Sequence, residues 1–298
     1  MRCVSCARSL ASLLCLVVAA CRDDGTGSGP APPVPNRILF TTMRNGKPDV
    51  YIMHADGTEV RAITADPATD QSADLTHHDI FVVFMSTRAG GVYQLFRIAT
   101  TGRSTFQLTT GQNDNGFPRW SPDDQQIVFT SLRDGNMELY KMRANGLEPV
   151  RLTFHGAMDT GADWSPDGTR IAFLSDRDGK SDVYVMNADG SGVVRLTTDA
   201  PEKGGRVAWS PDGSQIAFHA FEGVTADIFV INADGTGLRR LTTHPGNDRY
   251  PVWSPEGDRI AFASDRDGND EIYVMQADGT NVRRLTTSPG LDVPDAWR

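Results

Sequence analysis

Three features of the 298-residue sequence predict an all-β fold, a six-bladed β-propeller with four-stranded blades. The string Trp-Ser-Pro recurs at Trp120, Trp164, Trp209 and Trp253, at intervals of 44, 45 and 44 residues, and Trp297 follows 44 residues further on. A phenylalanine stands nine residues after each of these four tryptophans, at Phe129, Phe173, Phe218 and Phe262. No segment sustains the helical period in its apolar residues.

Two earlier phenylalanines share the register. Phe84 implies a degenerate tryptophan slot at Leu75, and Phe40 opens a first unit whose tryptophan slot is missing from the N-terminal side. Each unit reads as four strands. Strand A runs up to the tryptophan. Ser-Pro-Asp-Gly is a turn, with proline pre-setting φ and glycine taking the strained position. Strand B is the Ile-Ala-Phe run, strand C the Ile/Val-Tyr-Val-Met run, Ala-Asp-Gly a hairpin turn, and strand D ends at Arg-Leu-Thr. An open β-solenoid fits less well, because its repeats are usually shorter and need caps. Blade 1, residues 37–64, has strands B, C and D but no A, while Leu291–Trp297 is a strand A without a blade. The two complete each other, so the C-terminal strand is expected to close the ring.

The first twenty residues read as an address. Arg2 and Arg8 form a positive start, and Leu10 to Ala20 is an apolar run of eleven residues broken only by Ser12, too short to span a bilayer but suited to a signal peptide. The run ends in Val18-Ala19-Ala20-Cys21, which resembles the lipobox of bacterial lipoproteins. That resemblance implies cleavage before Cys21 and acyl chains on it, giving a durable membrane anchor. An ordinary secretory signal with a chance cysteine is the alternative. Arg22 to Asn36 is rich in Gly, Pro, Ser and Asp and reads as a flexible tether, so the expected organisation is a signal peptide at 1–20, lipidated Cys21 and linker at 21–36, and propeller at 37–298. In Gram-negative lipoproteins an Arg after the cysteine, with no Asp there, favours the outer membrane.

All four cysteines lie within the first 21 residues, so no disulfide framework holds the fold. From residue 21 onward 27 basic residues face 38 acidic ones, a balance that a nucleic acid or an anionic lipid surface would repel.

The blade pattern WSPDG … IAF.SDRDG … IYVMNADG … RRLT resembles the propeller repeat of the TolB family, over residues 37–298. TolB is a soluble periplasmic protein of the Tol–Pal envelope system whose propeller binds the peptidoglycan-associated lipoprotein. The resemblance therefore implies an envelope protein as partner. The α/β domain that precedes the propeller in TolB has no counterpart here, and a 15-residue tether stands in its place, so the propeller carries over and the pathway does not. The same repeats accompany serine peptidases, but no Gly-x-Ser-x-Gly nucleophile motif occurs.

Aligned by their phenylalanines, the blades show two charged columns. Five residues before each tryptophan slot stand Asp70, Asn115, Asp159, Gly204, Asp248 and Asp292. Four residues after each phenylalanine stand Arg44, Arg88, Arg133, Arg177, Glu222 and Arg266. The connections that carry them emerge on one rim of a propeller. They form either an acidic ring for a cation or basic peptide, or a structural pair repeated within each blade. Blade 5 has lost both members at once, which favours the pair. Blade 5 also reads His219-Ala220-Phe221-Glu222-Gly223 where others read Ser-Asp-Arg-Asp-Gly, with Lys203 and Arg206 on the loop leading in. Phe117 and Tyr250 occupy equivalent slots before Trp120 and Trp253. Exposed aromatics beside charges suit a protein partner, so Lys203, Arg206, His219, Phe221, Glu222, Phe117 and Tyr250 form a candidate partner surface; loop drift without a role is the alternative. Asp74, Arg119 and Asp163 alternate in sign one slot before the tryptophan and read as channel-side ion pairs.

Of the six histidines only His155 and His244 share a repeat slot, three blades apart, and no zinc spacing occurs. Asp265-Arg-Asp267-Gly-Asn269 fits a tight turn better than a calcium loop. No metal, cofactor or catalytic residue is expected. The expected function is a lipid-anchored, non-enzymatic interaction scaffold of the cell envelope. The alternative is a glycan or peptide binder in the central channel, with lyase or hydrolase activity.

Overall fold

The computed structural model describes residues 36–198 and 201–298. The expected signal peptide, Cys21 and the tether as far as residue 35 lie outside the described residues.

The described chain forms six antiparallel sheets of four strands each, and no helix. Blade 4 shows the plan: β12 (Asp159–Trp164), β13 (Arg170–Ser175), β14 (Asp182–Asn187) and β15 (Val194–Arg195) pair in chain order. Blade 1 departs from it as expected. Its order is β24 (Asp292–Trp297), β1 (Arg37–Thr42), β2 (Asp49–His54), β3 (Arg61–Ala62), so the last strand of the chain becomes its innermost strand. β24 pairs with β1 from Ile38↔Trp297 to Thr42↔Asp292, with a bulge in between. Arg37 and Arg298 extend the ladder by exchanging backbone hydrogen bonds of 2.6 and 2.9 Å.

Strand B of every blade is buried along nearly its whole length, as in the pattern iBBBBB of β13. Blades pack face to face, so both sides of a middle strand meet apolar neighbours. This is why strand B reads as a continuous apolar run rather than an alternation. The core lies between blades. Between blades 4 and 5 it joins Leu174, Val183 and Val185 to Val207, Trp209 and Phe218. The five tryptophans are 1–6 % exposed, and Leu75 fills the same place in blade 2.

Strand D is shorter than the sequence suggests, two residues in each blade. The Leu-Thr that follows (Ile63-Thr64 in blade 1) turns inward instead of extending the sheet. In all six blades the hydroxyl of that threonine accepts a hydrogen bond from a backbone N–H in strand C, 2.8–3.0 Å long, from Val50 N to Thr64 through Ile272 N to Thr286. The outer edge is thus too short to template pairing with another chain.

Removing residues 290–298 takes away β24 and leaves β1 as an open edge. The truncated chain is expected to lose cooperative unfolding. A calorimetric melt within a few degrees of the full chain would show that closure by β24 is dispensable.

Candidate functional site

The two charged columns meet inside five of the six blades. Arg88 donates to Asp70 (2.7 Å), Arg133 to the Asn115 side-chain oxygen (3.0 Å), Arg177 to Asp159 (2.9 Å), Arg266 to Asp248 (2.8 Å) and Arg44 to Asp292 (3.1 Å). The last pair joins the N- and C-terminal segments. The aspartates are fully buried and the guanidiniums cap them from the rim. Each arginine also lies over two rings of its own blade: Arg177 sits 5.4 Å from the Phe173 centroid and 5.0 Å from that of Tyr184. Charge pairing and cation–π contact thus hold the B–C loop down on the blade.

Blade 5 has no such clamp, and its B–C connection stands as a regular hairpin. β17 (Gln215–Glu222) and β18 (Thr225–Asn232) are eight residues each, against six in the other blades, and they pair out to Glu222↔Thr225. The tip is exposed, with Phe221 at 40 % and Val224 at 94 %. Behind it Lys203, opposite Ala220 on a first strand one residue longer than in the other blades, stands in the place of the acid, and rings fill the space beside it. His219 lies 5.8 Å from Phe221 and 5.2 Å from Tyr250, both edge-on. Glycine at 204 and 205 is required there. A Cβ on Gly204 would come within 2.7 Å of His219 Nε2, and one on Gly205 within 2.6 Å of Tyr250.

Of the seven residues expected as a partner surface, Phe221 and Glu222 are exposed on this hairpin, and Phe117 and Tyr250 are half-buried. The other three are a correction: Lys203, Arg206 and His219 are buried. Lys203 turns between blades to an ion pair with Asp182 of blade 4. Arg206 turns into the channel. Neither is free to present its charge on the rim, because a buried charge needs a partner and both find one inside. His219 is desolvated beneath the hairpin. Burial first, then the nearby Arg249 and Arg206 charges, lower its pKa to about 3, so the ring is neutral.

The channel axis is crossed by side chains from facing blades. Arg206 of blade 5 donates to Asp295 (3.2 Å) and to the Pro294 carbonyl, both on β24. Arg119 of blade 3 donates to the Asp295 carbonyl (3.3 Å) and to that of Ala73 (3.2 Å). Thr41 donates to the Asp295 carboxylate at 2.6 Å. Burial pushes Asp295 up and brings Arg206 down to about 10, each opposed by the other's charge. Asp74 and Asp163, expected in channel ion pairs, staple neighbouring blades. Asp74 accepts the Trp120 N–H (2.7 Å) and pairs with Arg298 (3.2 Å); Asp163 accepts the Trp209 N–H (2.8 Å). On the side of the A–B turns a cavity of about 380 Å³ remains, bordered by Asp163, Arg298, Trp164, Trp209, Pro166 and Pro211.

A further polar column escaped the sequence reading. At the start of strand C, Glu138, Asp182, Asp227 and Glu271 each bind the strand D arginine and the inward-turning threonine, as Glu271 binds Arg284 at 2.9 Å and Thr286 at 2.5 Å. Its signal in the sequence is the recurring Arg-Leu-Thr, whose arginine and threonine both reach the acid.

Comparison with known proteins gives one consistent answer. The family described as TolB beta propeller domain matches residues 108–206 and 198–297. A TolB homolog of Chlorobaculum tepidum is 32 % identical over 123 residues, 40 % of this chain and 27 % of that protein. The Tol-Pal system protein TolB of Bordetella pertussis is 35 % identical over 112 residues, 37 % and 25 % of the two chains. The chain thus spans about a quarter of the length of the curated relatives it matches. The crystal structure of TolB from Acinetobacter baumannii superposes with a TM-score of 0.79 at 25 % identity, covering 88 % of this chain and 66 % of that one.

Two outcomes follow from the geometry. Arg177→Ala strands the buried Asp159 and is expected to lower stability by about 2 kcal/mol, with part recovered in Arg177→Ala/Asp159→Ala; equal losses in the two proteins by urea titration would contradict the pairing. For His219 the folded pKa lies below the unfolded one, so its neutral-state stability holds above about pH 6.5 and is lost as pH falls toward 3. By pH 5 this amounts to about 2 kcal/mol. His219→Gln should flatten that slope, and urea titrations at pH 7 and pH 5 read it.

Proposed function

The chain belongs to the TolB beta propeller domain family, and we propose that it is a non-enzymatic interaction scaffold of the bacterial cell envelope, anchored through lipid on Cys21 and binding an envelope protein on the rim of blade 5. One observation carries the site: blade 5 alone lacks the clamp, and its hairpin lifts Phe221 and Val224 clear of the rim. Large apolar side chains projecting into water beside Glu222 are what a protein interface uses at its centre. The name of the Bordetella relative, a Tol-Pal system protein, supports an envelope setting. By the same family resemblance a peptidoglycan-associated lipoprotein is the first partner to test. The outer-membrane address rests on the lipobox-like Val18-Ala19-Ala20-Cys21 and on Arg22.

A second reading, a small glycan or peptide in the channel, has the cavity of about 380 Å³ in its favour. Beside that cavity Arg206 is engaged with Asp295 and Arg298 with Asp74, and Asp163 accepts the Trp209 N–H. That supports the scaffold over a channel enzyme, whose acid and base would need to face a substrate.

The test is in-cell crosslinking followed by capture from the membrane fraction. The expected result is one envelope protein captured with the wild-type chain and at least tenfold less with Phe221→Ser/Val224→Ser, while Cys21→Ser moves the scaffold to the soluble fraction. Equal capture by both proteins would remove blade 5 as the site. Co-purifying glycan or peptide without a protein partner would favour the channel reading.

A further inference from the structure

The cavity on the side of the A–B turns has two unlike halves. In every blade its wall includes the residue one slot before the tryptophan position. In blades 2, 3 and 4 that residue is Asp74, Arg119 and Asp163; in blades 5, 6 and 1 it is Ala208, Val252 and Ala296. Strand A is the innermost strand of each blade, so these six residues stand around the axis. One half of the bowl is charged and the other is apolar. Over the whole lining the charges balance, three aspartates against three arginines.

Two of these six charges have no charged partner in contact among the described residues. Asp74 is held by Arg298, and Asp295 by Arg206. Asp163 has no such counterion. Its Oδ2 accepts the Trp209 N–H at 2.8 Å, and its Oδ1 has no hydrogen-bond partner among the described residues. The side chain is half-buried, and that oxygen is open to the cavity. Arg119, on the neighbouring blade, spends its terminal nitrogens on the Ala73, Pro118 and Asp295 carbonyls, and none of these bonds uses its Nε–H. Burial pushes the Asp163 carboxyl up, and the Arg119 charge opposes this most strongly. The two groups therefore feel each other's charge without being bound together.

We propose that this cavity is a binding site for a small zwitterion with an apolar body, of the class of the apolar α-amino acids. The ligand's ammonium donates to Asp163 Oδ1, its carboxylate accepts the Arg119 Nε–H, and its side chain lies against Ala208, Val252 and Ala296. A ligand of single charge fits less well. A lone ammonium beside Asp163 also meets the Arg119 charge, and a lone carboxylate beside Arg119 meets Asp163, in a site where water screens little. The volume of about 380 Å³ lies at the lower end of the range of small-molecule sites and suits one such molecule. A guanidinium stays protonated and serves as no base, so the pair binds and does not catalyse. The cavity opens on the face opposite the blade 5 hairpin, so this site is independent of the proposed protein interface.

The test is isothermal titration calorimetry of the full chain with L-leucine and four probes that each lack part of it. Isoamylamine has no carboxylate, 4-methylpentanoate has no ammonium, L-serine has no apolar body, and N-acetylglucosamine has none of the three. The expected result is saturable binding of L-leucine, with each of the four at least about tenfold weaker. Asp163→Asn keeps an acceptor for the Trp209 N–H but removes the charge, and should weaken L-leucine by at least about tenfold. Phe221→Ser/Val224→Ser should bind L-leucine as the wild-type chain does, so failure of the blade 5 interface and failure of this site are read separately. The ligand series needs only the wild-type chain and decides even if Asp163→Asn does not fold. No binding of L-leucine, equal binding of any of the four probes, or an undiminished affinity in folded Asp163→Asn would overturn the site.

Discussion

The pairing of β24 with β1 is the contact on which the other features depend. A propeller is a ring of face-to-face blades, and each blade buries its apolar sides only if both neighbours are present. An open ring would leave two blade faces in water. Here the ring is closed by strand pairing rather than by a crosslink, through the ladder from Ile38↔Trp297 to Thr42↔Asp292. Trp297 then enters the core between blades 6 and 1 together with Ile38, Phe40 and Val252. The same six-residue strand supplies Asp295, which receives Arg206 and Thr41, while its carbonyl receives Arg119. Closing the ring and filling its axis are therefore coupled. Buried charges of this kind add little net stability, since desolvation offsets much of the attraction, but they are strongly unfavourable when a partner is missing. They favour the one arrangement of blades that brings all partners together.

Around the rim one small device is repeated: a buried acid or amide, an arginine above it, and two rings beneath the guanidinium. Its uniformity is a reason to look for function elsewhere. Five blades use the columns to hold a loop in place, and the sixth gives them up. In blade 5 the first strand carries an extra residue, so Lys203 stands opposite Ala220 where the other blades have the acid, Gly204 beside it makes room for His219, and Glu222 leaves nothing to draw the loop down. The strands then run straight to the tip, and apolar residues that a folded-down loop would have covered stand in water. Departure from the repeat creates the surface on which a binding function can rest.

Much of this was legible in the residue order. The Trp-Ser-Pro and Phe registers carried the number of blades, the strand order and the closure, because a repeat that must stack on its own copies shows its spacing directly. The Arg and Asp columns were visible for the same reason, as was the singularity of blade 5. The direction of individual side chains was not. Lys203 and Arg206 lie on the same short stretch of blade 5, yet one turns to Asp182 in blade 4 and the other crosses the axis to β24. Spacing along a chain says nothing about partners 21 or 89 residues away. The two-residue length of strand D was likewise hidden, since Arg-Leu-Thr reads as strand until the threonine is seen bonding to strand C.

The sequence by itself determined the period, the all-β character, the blade count and which blade is irregular. These follow from local turn chemistry and from apolar residues placed to meet their own copies. Only the tertiary structure decided which charges are buried, which pair across blades, and which aromatics remain in water. Those outcomes depend on distances between blades, set by closing the ring, and no local pattern encodes them.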